Sequence, residues 1–297
     1  MISAMALSAK SVIHGEDAIL GEFPWAALLG TEKTFENWDN RRKIWTNKTE
    51  TLYQCGGTLI NTWYVLTAAH CQTENTKIVE VVLGEWDVFS DPDCPRDEDE
   101  CDNPKAQRRK VAEVISHSGY DKKAGPNDIA LIRMKTEVRL NRFVQLACLP
   151  LPEYNLPVYF YSPVFLNATL VGWGQTSNKE PTNKDLIYLG LKTNKLQKGN
   201  MPIQPLEQCM KAYPRKEIQS SQLCAGADKL NSKTGSCKGD SGGGLFVDSG
   251  EHSGQSSGNR HVQVGLVSYG AQLCGDYPAV YTRVDQFIPW IKDIIGF

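Results

Sequence analysis

The chain has 297 residues, of which 41% are apolar and 22% charged, and a formal net charge of −2. This length and apolar content are enough to bury a large core, so the chain is expected to fold as a globular protein of one large or two small domains. The near-neutral charge offers no basic stripe for a phosphate backbone, and no apolar run reaches the roughly eighteen residues of a membrane span; nucleic acid and membrane partners are therefore not expected.

Short apolar and β-branched runs, separated by turn-rich segments, predict strands along most of the chain. In chain order they occupy residues 58–60, 65–69, 79–83, 129–134, 169–171 and 262–267. Only residues 284–295 have helical spacing, with apolar side chains on one face. The sequence therefore predicts an all-β fold with a C-terminal helix.

Three polar stretches predict long surface loops, at residues 31–53, 90–106 and 248–260. The second is acidic before Lys105, and the third is rich in serine and glycine. Solvated insertion is the favoured interpretation of all three, because surface loops tolerate added residues.

The cysteine content indicates a secreted protein. Nine cysteines with no C-x-x-C pair favour disulfides over zinc, and disulfides persist in oxidising compartments. Sequons at Asn47 and Asn167 are candidate glycosylation sites, although such triplets also arise by chance. Residues 1–10 lack a basic segment and a full apolar segment, so we expect the natural secretory leader to be missing.

Three segments place a serine, a histidine and an aspartate in settings suited to covalent catalysis. Ser241 lies within "GSCKGDSGGG", His70 ends the apolar run of "LTAAHC", and Asp128 opens the run of "NDIALIRM". A serine hydroxyl is a weak nucleophile that needs a neighbouring base, and a third group must orient that base. One such histidine alone would more often be structural, but the three segments together predict nucleophilic catalysis.

Six further segments accompany these three along the chain: "VIHGEDAILGEFPW", "CGGTLI", "ACLP", "VGWG", "LVSYG" and "PAVYTRV". In this order they resemble the chymotrypsin-fold, trypsin-like serine proteases over residues 12–297. The resemblance implies an all-β fold of two antiparallel six-stranded Greek-key barrels with a C-terminal helix, and a catalytic cleft between the barrels. It implies a propeptide-like extension at residues 1–11, a first barrel at about residues 12–145 and a second at about 146–297.

The resemblance also implies the roles of individual residues. Ser241 would be the nucleophile, His70 the general base and then acid, and Asp128 the group that orients the imidazole. The backbone N–H groups of Gly239 and Ser241 would form the oxyanion hole. Ser268 would support Asp128, and the strand that it begins, with Tyr269 and Gly270, would pair with an extended substrate.

The specificity pocket departs from the trypsin pattern. The aspartate that usually stands six residues before the nucleophile is replaced by Gly235, and Ser236 offers only a hydroxyl. The wall positions are Gly270 and Ala279. A basic side chain would lose its water there without gaining a counter-ion, so we expect a preference for small or medium apolar residues, with aromatic residues the nearest competitors. Gly244, where the family usually has proline, puts local rigidity in doubt.

The resemblance implies an activation switch, in which a new amino group at Val12 ion-pairs with Asp240. Ser11 precedes Val12, whereas activation sites in the family usually have a basic residue there. The chain as written from Met1 is therefore expected to be an inactive precursor that needs an activating protease of non-tryptic specificity.

Family spacing implies four disulfides: Cys55–Cys71, Cys209–Cys224, Cys237–Cys274 and a local pair, Cys94–Cys101. Cys148 is then left unpaired within the chain. In two-chain relatives this cysteine binds a light chain, so a light chain or a clip domain is an expected partner.

The segment "LGEWDVFSDPDC", the cysteine-closed acidic loop and Cys148 resemble the catalytic domains of arthropod clip-domain proteases. Glu85 and Asp87 match calcium-ligand positions of trypsin-like enzymes, and Ser90, Asp91 and Asp93 add oxygen donors. The sequence is compatible with two interpretations of this segment, a structural calcium site and an acidic loop that binds no metal. Catalysis itself is expected to need no cofactor.

The sequence thus predicts a secreted serine endopeptidase of an extracellular cascade in innate immunity or development. Its expected partners are protein substrates, the activating protease and serpin-type inhibitors. Two alternatives remain: a catalytically silent homologue that binds cascade partners, against which the intact triad argues, and a digestive endopeptidase.

Overall fold

A computed structural model describes residues 13, 15–94, 105–122, 125–151, 167–227, 233–248 and 261–296. Short antiparallel strands dominate these residues. In chain order the strands are β1 Glu16–Asp17, β2 Ala26–Asp39, β3 Ile44–Asn61, β4 Tyr64–Thr67, β5 Thr76–Leu83, β6 Gln107–Ser116, β7 Ala130–Met134, β8 Asn167–Gly172, β9 Gln197–Gln204, β10 Gln222–Gly226, β11 Gly244–Asp248, β12 His261–Tyr269 and β13 Pro278–Arg283. In this part of the chain, every helix is too short or too polar to cross a bilayer.

The first six of the longer strands close into a barrel in the order β2-β3-β4-β7-β6-β5. Every neighbouring pair is antiparallel, so the barrel leaves no unpaired edge within the ring. Side chains such as Leu29, Val65 and Val81 fill its interior and are fully buried. The apolar runs of the sequence therefore supply the inward-facing positions.

The second barrel closes in the order β8-β9-β10-β13-β12-β11, because β8 pairs with both β9 and β11. Its core contains Leu170, Met201, Val264 and Tyr281, all fully buried. β1 pairs with β9 of the second barrel, although residues 16–17 precede the first barrel in the chain. The predicted fold of two six-stranded barrels is confirmed.

The described residues contain three α-helices, α1 Lys184–Leu189, α2 Leu206–Ala212 and α3 Ile288–Ile295. The predicted C-terminal helix begins as a 3-10 turn at Val284–Phe287 and becomes α-helical at Ile288. The expectation of a single helix was wrong, since α1 and α2 span six and seven residues. Segments of that length are too short for an apolar periodicity to be recognised.

The prediction of a surface loop at residues 31–53 was also wrong. β2 and β3 continue through it as an antiparallel hairpin, in register from Thr31↔Leu52 to Asp39↔Ile44. Threonines and aromatic residues alternate there with charged ones, a composition that suits a ribbon exposed to water on both faces. Of the other two predicted loops, residues 95–104 and 249–260 lie outside the described residues.

The two barrels meet at the cleft through a direct backbone contact. The Gly56 N–H on β3 donates to the carbonyl of Ser241, at 2.8 Å. α3 packs back on the first barrel, where Phe287 and Ile291 share an apolar cluster with Leu66 and Leu131. These contacts hold loops from both barrels at fixed positions around one cleft.

Candidate active site

His70 and Asp128 form a hydrogen-bonded pair at the cleft. The imidazole Nδ1 lies 2.7 Å from Asp128 Oδ2, and the backbone N–H of His70 donates to Oδ1 at 2.9 Å. His70 lies in the 3-10 turn Ala69–Cys71 that follows β4, and a disulfide ties Cys71 to Cys55. The ring is therefore oriented with Nδ1 toward the carboxylate and Nε2 left for another partner.

Asp128 is buried, with 4% of its side chain exposed, and yet it is held as an anion. Burial alone would raise its pKa, but hydrogen bonds from His70 and Ser268 outweigh burial and lower the pKa below the usual value. The Ser268 hydroxyl donates to Oδ2 at 2.6 Å. A carboxylate with three donors can neutralise a protonated imidazole without taking up the proton.

Ser241 lies across the cleft from this pair. Its side chain is half-exposed and lines a pocket of about 220 Å³ that His70 also lines. The Gly242 N–H donates to Val267 at 3.0 Å, and the Gly243 N–H donates to Asp240 at 2.9 Å, so the serine stands on a tight turn. The structure thus brings together the serine and the histidine, which are 171 positions apart in the sequence.

The loop before the serine turns around the buried carboxylate of Asp240. Gly239 has a φ of 97°, a conformation that favours glycine, and Asp240 is fully buried. The N–H groups of Gly174 and Cys237 each donate to the carboxylate at 2.9 Å. Burial nevertheless raises the pKa of Asp240 to about 7, which these two bonds offset only in part. The ionised form of Asp240 would therefore need a neighbouring cation; Val12, its predicted partner, lies outside the described residues.

Two residues at the site were not recognised from the sequence. Gly174 has no room for a side chain beside the Asp240 carboxylate, and Thr282 donates from its hydroxyl to the Asp128 carbonyl at 2.8 Å. Both belong to quoted segments, "VGWG" and "PAVYTRV". Their roles depend on contacts between distant segments, so the motif spacing alone could not reveal them.

Gly235, the predicted base of the specificity pocket, is buried. Its carbonyl accepts a hydrogen bond from the Ile13 N–H at 3.2 Å, and a Cβ at this position would lie 2.9 Å from the Gly275 nitrogen. Any larger residue would therefore have to displace backbone. Ser236 is half-buried beside it, and a disulfide between Cys237 and Cys274 braces the two adjacent segments.

Gly270 and Ala279, the predicted wall positions, lie close together. A Cβ added at Gly270 would lie 3.3 Å from the Ala279 methyl, which is closer than an ordinary van der Waals contact. Ala279 is buried, while Gly270 is exposed and Tyr269 half-buried. The predicted specificity residues, all of which lie in the described part of the chain, carry no charged side chain.

The unusual Gly244 has a steric explanation. A Cβ there would overlap the ring of Phe246, and it would lie 2.9 Å from the Thr58 hydroxyl. Phe246 is 2% exposed and packs against Trp25, with ring centroids 5.5 Å apart. The phenyl ring fills the volume that a proline ring would need, so this position is rigid through packing.

Replacing Gly244 with proline is therefore expected to lower the free energy of unfolding by about 1–3 kcal/mol, as overpacking does, even though proline is usual in the family. The measurement is urea unfolding followed by fluorescence. In the double variant with Phe246→Ala, the loss of unfolding free energy should be smaller than the sum of the two single losses, because the alanine removes the overlapping ring. A fully additive double variant would contradict the explanation.

The structure contains the disulfides Cys55–Cys71, Cys209–Cys224 and Cys237–Cys274. Cys94 is disulfide-bonded, and its predicted partner Cys101 lies outside the described residues. Cys148 is half-buried next to β12, where its N–H and carbonyl bond with His261 and Gln263. Cys55, His70 and Cys71 lie close together, but the disulfide removes both sulfurs as metal ligands.

The acidic segment after β5 encloses a buried carboxylate. Glu85 is 8% exposed, and its Oε1 finds no hydrogen-bond donor among the described residues. Burial and then the charge of Asp93 raise the pKa of Glu85 to about 8. Asp93 accepts from the N–H groups of Trp86 and Asp87 and from the Ser90 hydroxyl, so it organises the loop. Asp87 accepts from Asn194, and Asp91 is exposed.

Both sequon asparagines are exposed, Asn47 on the β2–β3 ribbon and Asn167 at the start of β8. Neither is covered by neighbouring segments among the described residues. Their positions are compatible with the attachment of a glycan.

Comparison with known proteins places these features in a family. The family profile described as Trypsin matches residues 12–291. Phenoloxidase-activating factor 3 of Holotrichia diomphalia is 38% identical over 290 residues, which cover 95% of this chain and 71% of that protein. CLIP domain-containing serine protease B10 of Anopheles gambiae is 36% identical over 297 residues, covering 97% and 70%. The crystal structure of the Drosophila Grass clip serine protease of the Toll pathway has a TM-score of 0.70 at 28% identity, covering 97% of this chain and 73% of that one.

Proposed function

The chain belongs to the trypsin family of serine endopeptidases, and from this premise we propose that His70, Asp128 and Ser241 hydrolyse peptide bonds of protein substrates in an extracellular cascade. The single observation that supports this best is the orientation of His70. Its Nδ1 is held on Asp128 at 2.7 Å, which leaves Nε2 as the base for the serine in the shared pocket.

In the proposed mechanism, the Ser241 oxygen attacks the scissile carbonyl carbon while Nε2 of His70 takes the serine proton. The negative charge on the former carbonyl oxygen is stabilised by the N–H groups of Gly239 and Ser241. The carbon–nitrogen bond then breaks, and His70 returns the proton to the leaving amine. Water, deprotonated by His70, releases the acyl group and restores Ser241. These steps need no metal or cofactor.

We propose an apolar preference for the residue before the scissile bond, with Gly235, Ser236, Gly270 and Ala279 around it. The expected result of profiling a form that begins at Val12 on a peptide library is cleavage after small or medium apolar residues. Burying an unpaired basic side chain costs several kcal/mol, so cleavage after arginine should be at least about 100-fold slower. Cleavage mainly after arginine would contradict the pocket assignment, and no cleavage of any peptide would favour the silent homologue.

We further propose that the protein is secreted and acts with the partners that its relatives suggest. The names of two similar proteins refer to phenoloxidase activation and the Toll pathway, which supports a role in an arthropod-type immune or developmental cascade. The three disulfides whose two cysteines are both described support an oxidising compartment. An activating protease, serpin-type inhibitors, a light chain or clip domain on Cys148, and glycans on Asn47 and Asn167 belong to the same proposal.

A structural calcium near Glu85 is also proposed, with Asp87 as a second ligand. The support is the buried Oε1 of Glu85, an oxygen that meets no donor within the described part of the chain, in a hard-oxygen environment that suits calcium. The ion would neutralise Glu85 and stiffen the loop after β5, without contact to the reacting groups.

Removing calcium with a chelator is expected to lower Tm by several degrees, because a ligand that binds only the folded state stabilises it. The measurement is thermal melting with calcium, with chelator and with magnesium. Glu85→Gln should abolish the calcium effect. An unchanged Tm on chelation of the wild-type protein would show that the loop is folded without the metal.

A further inference from the structure

The two neighbours of Asp128 in the chain are tied to one turn at the end of β6. The His117 N–H donates to the Ile129 carbonyl at 3.0 Å, which continues the β6–β7 ladder beyond its last pair. On the other side of Asp128, the Asn127 side-chain amide donates to the Gly119 carbonyl at 2.9 Å. The residues before and after the aspartate are therefore both held by the same turn.

The imidazole of His117 closes this turn. The Tyr120 N–H donates to the His117 carbonyl at 3.0 Å, and the Gly119 N–H donates to the His117 Nδ1 at 3.1 Å. A ring nitrogen that accepts a hydrogen bond carries no proton, so the ring is neutral with its proton on Nε2. Burial lowers the pKa of His117, which favours this neutral form.

The C-terminal helix fixes the orientation of the imidazole. The His117 ring packs edge-on against Phe287, with centroids 5.2 Å apart, and against Trp290 at 5.3 Å. Phe287 ends the 3-10 turn that leads into α3, and Trp290 lies in α3 itself. The ring therefore links the C-terminal helix to the segment that carries Asp128.

Three groups meet closely at Gly119. A Cβ at this position would lie 3.1 Å from the Asn127 Nδ2 and 3.3 Å from the His117 Nδ1, so a larger residue would push these groups apart. Asn127 has a φ of 57°, a left-handed conformation that residues other than glycine seldom adopt. The amide bond to Gly119 holds Asn127 in this conformation, which sets the direction in which the chain enters Asp128.

The turn also lies beside the Asp128 carboxylate. Burial, and then the charge of Asp128, raises the pKa of Tyr120 to about 12, so the phenol lies near the carboxylate. The carbonyl of Asp128 is held from the second barrel by the Thr282 hydroxyl. The direction of the aspartate side chain thus depends on residues that hold the backbone around it.

We propose that His117 is a positioning residue, whose Nδ1 keeps the Gly119 carbonyl on the Asn127 amide. This arrangement fixes the backbone around Asp128 and so directs its carboxylate to His70. His117 acts through Asp128 and not on the substrate. The inference rests on the proposed function, because a misdirected Asp128 lowers kcat only if His70 is the catalytic base.

Two substitutions separate the acceptor from the ring. In His117→Asn the side-chain oxygen can accept from the N–H two residues on, as asparagine does in turns, but the ring contacts are lost. His117→Phe keeps an aromatic ring against Phe287 and Trp290 and has no acceptor. In the form that begins at Val12, we expect His117→Phe to lower kcat by about 10-fold, with KM within about twofold. His117→Asn should keep kcat within about threefold of the unmodified form, although its Tm falls by several degrees.

A second variant tests the same connection without changing the ring. Asn127→Gly can adopt a positive φ without cost but lacks the amide, so it should lower kcat by about as much as His117→Phe. The double variant should lose no more than either single variant, because both changes break one connection. The matched control is His261→Phe, since the His261 ring also packs on two aromatic rings, Phe23 and Trp25. It should leave kcat unchanged.

Proton NMR of the His70 Nδ1–H provides a readout that a loss of stability alone would not move. Its resonance should shift in His117→Phe and in Asn127→Gly, and it should stay in place in His117→Asn and in the His261→Phe control.

Three results would overturn the inference: an unchanged kcat in His117→Phe, an equal loss of kcat in His117→Asn and His117→Phe, or additive losses in the double variant. If the unmodified form that begins at Val12 cleaves no peptide, the proposed function fails instead. The His70 resonance, which needs no turnover, still reports whether His117 positions Asp128, so the two failures are distinguishable.

Discussion

Replacing Asp128 with asparagine is expected to lower kcat by about 10⁴-fold, the magnitude known for this change in other serine–histidine–aspartate triads. In the structure, the His70 backbone N–H donates to Oδ1, so an asparagine amide must place its oxygen there and its NH₂ toward His70 Nδ1. That arrangement favours the tautomer with the proton on Nε2. Such an imidazole cannot accept the proton of Ser241.

The measurement is steady-state kinetics of the form that begins at Val12, with thermal melting to verify the fold. Ser268→Ala is the graded comparison, because it removes one donor to Asp128 and leaves the tautomer unchanged. The loss of one hydrogen bond to a charged group costs about 1.5–3 kcal/mol, so Ser268→Ala should lower kcat by about 10- to 100-fold. A loss below tenfold for Asp128→Asn would show that His70 does not act as the base.

The second large effect is expected from removing the residues that precede Val12. A form that begins at Val12 should exceed the chain that begins at Met1 in kcat/KM by at least about 100-fold, because a half-made buried ion pair costs about 3–5 kcal/mol. Asp240→Asn in the Val12 form should lose a similar factor, because it removes the charge and because Gly174 and Cys237 donate to different carboxylate oxygens, of which the amide keeps only one. Equally fast reaction of the Met1 chain and the Val12 form with a serine-directed covalent inhibitor would falsify this switch.

The buried carboxylate also predicts how stability depends on pH. In the Met1 chain the pKa of Asp240 is raised from 3.8 to about 7, so between these values the folded state holds a proton that the unfolded state has lost. Stability should then fall as pH rises from about 4 to 7, by about 4 kcal/mol in total. In the Val12 form the ammonium group keeps the carboxylate ionised, so this loss should disappear, and activity should instead decline above pH 8 as the amine deprotonates.

Urea unfolding of both forms across pH 4.5–7.5 measures the difference. Asp240→Asn in the Met1 chain is the control, since it cannot titrate and should flatten the profile. Parallel profiles for the Met1 chain, the Val12 form and the asparagine variant would mean that another group governs the pH dependence.

Much of the architecture follows from local patterns. The apolar runs near residues 65, 81, 131 and 264 became inward-facing strands, because burial selects such runs wherever they occur. The short helices could not be predicted from local patterns, since α1 depends on its N-cap Asn183 and its C-cap Gly190 more than on apolar spacing. The ribbon at residues 31–53 was missed because both of its faces meet water beyond the barrel, so its alternation is not one of apolar against polar residues.

The sequence by itself determined the chemistry that residue types carry: a serine between an acid and glycines, a histidine and an aspartate at the ends of apolar runs, and Gly235 in place of a counter-ion. Only the tertiary structure decided which distant groups touch. The fold brings Asp128 to His70 and Ser268, gives Phe246 the volume beside Gly244, and lays α1 against the ribbon. The reason is physical: composition sets what a side chain can do, whereas distance and burial, which set its pKa and partners, arise when separate segments pack together.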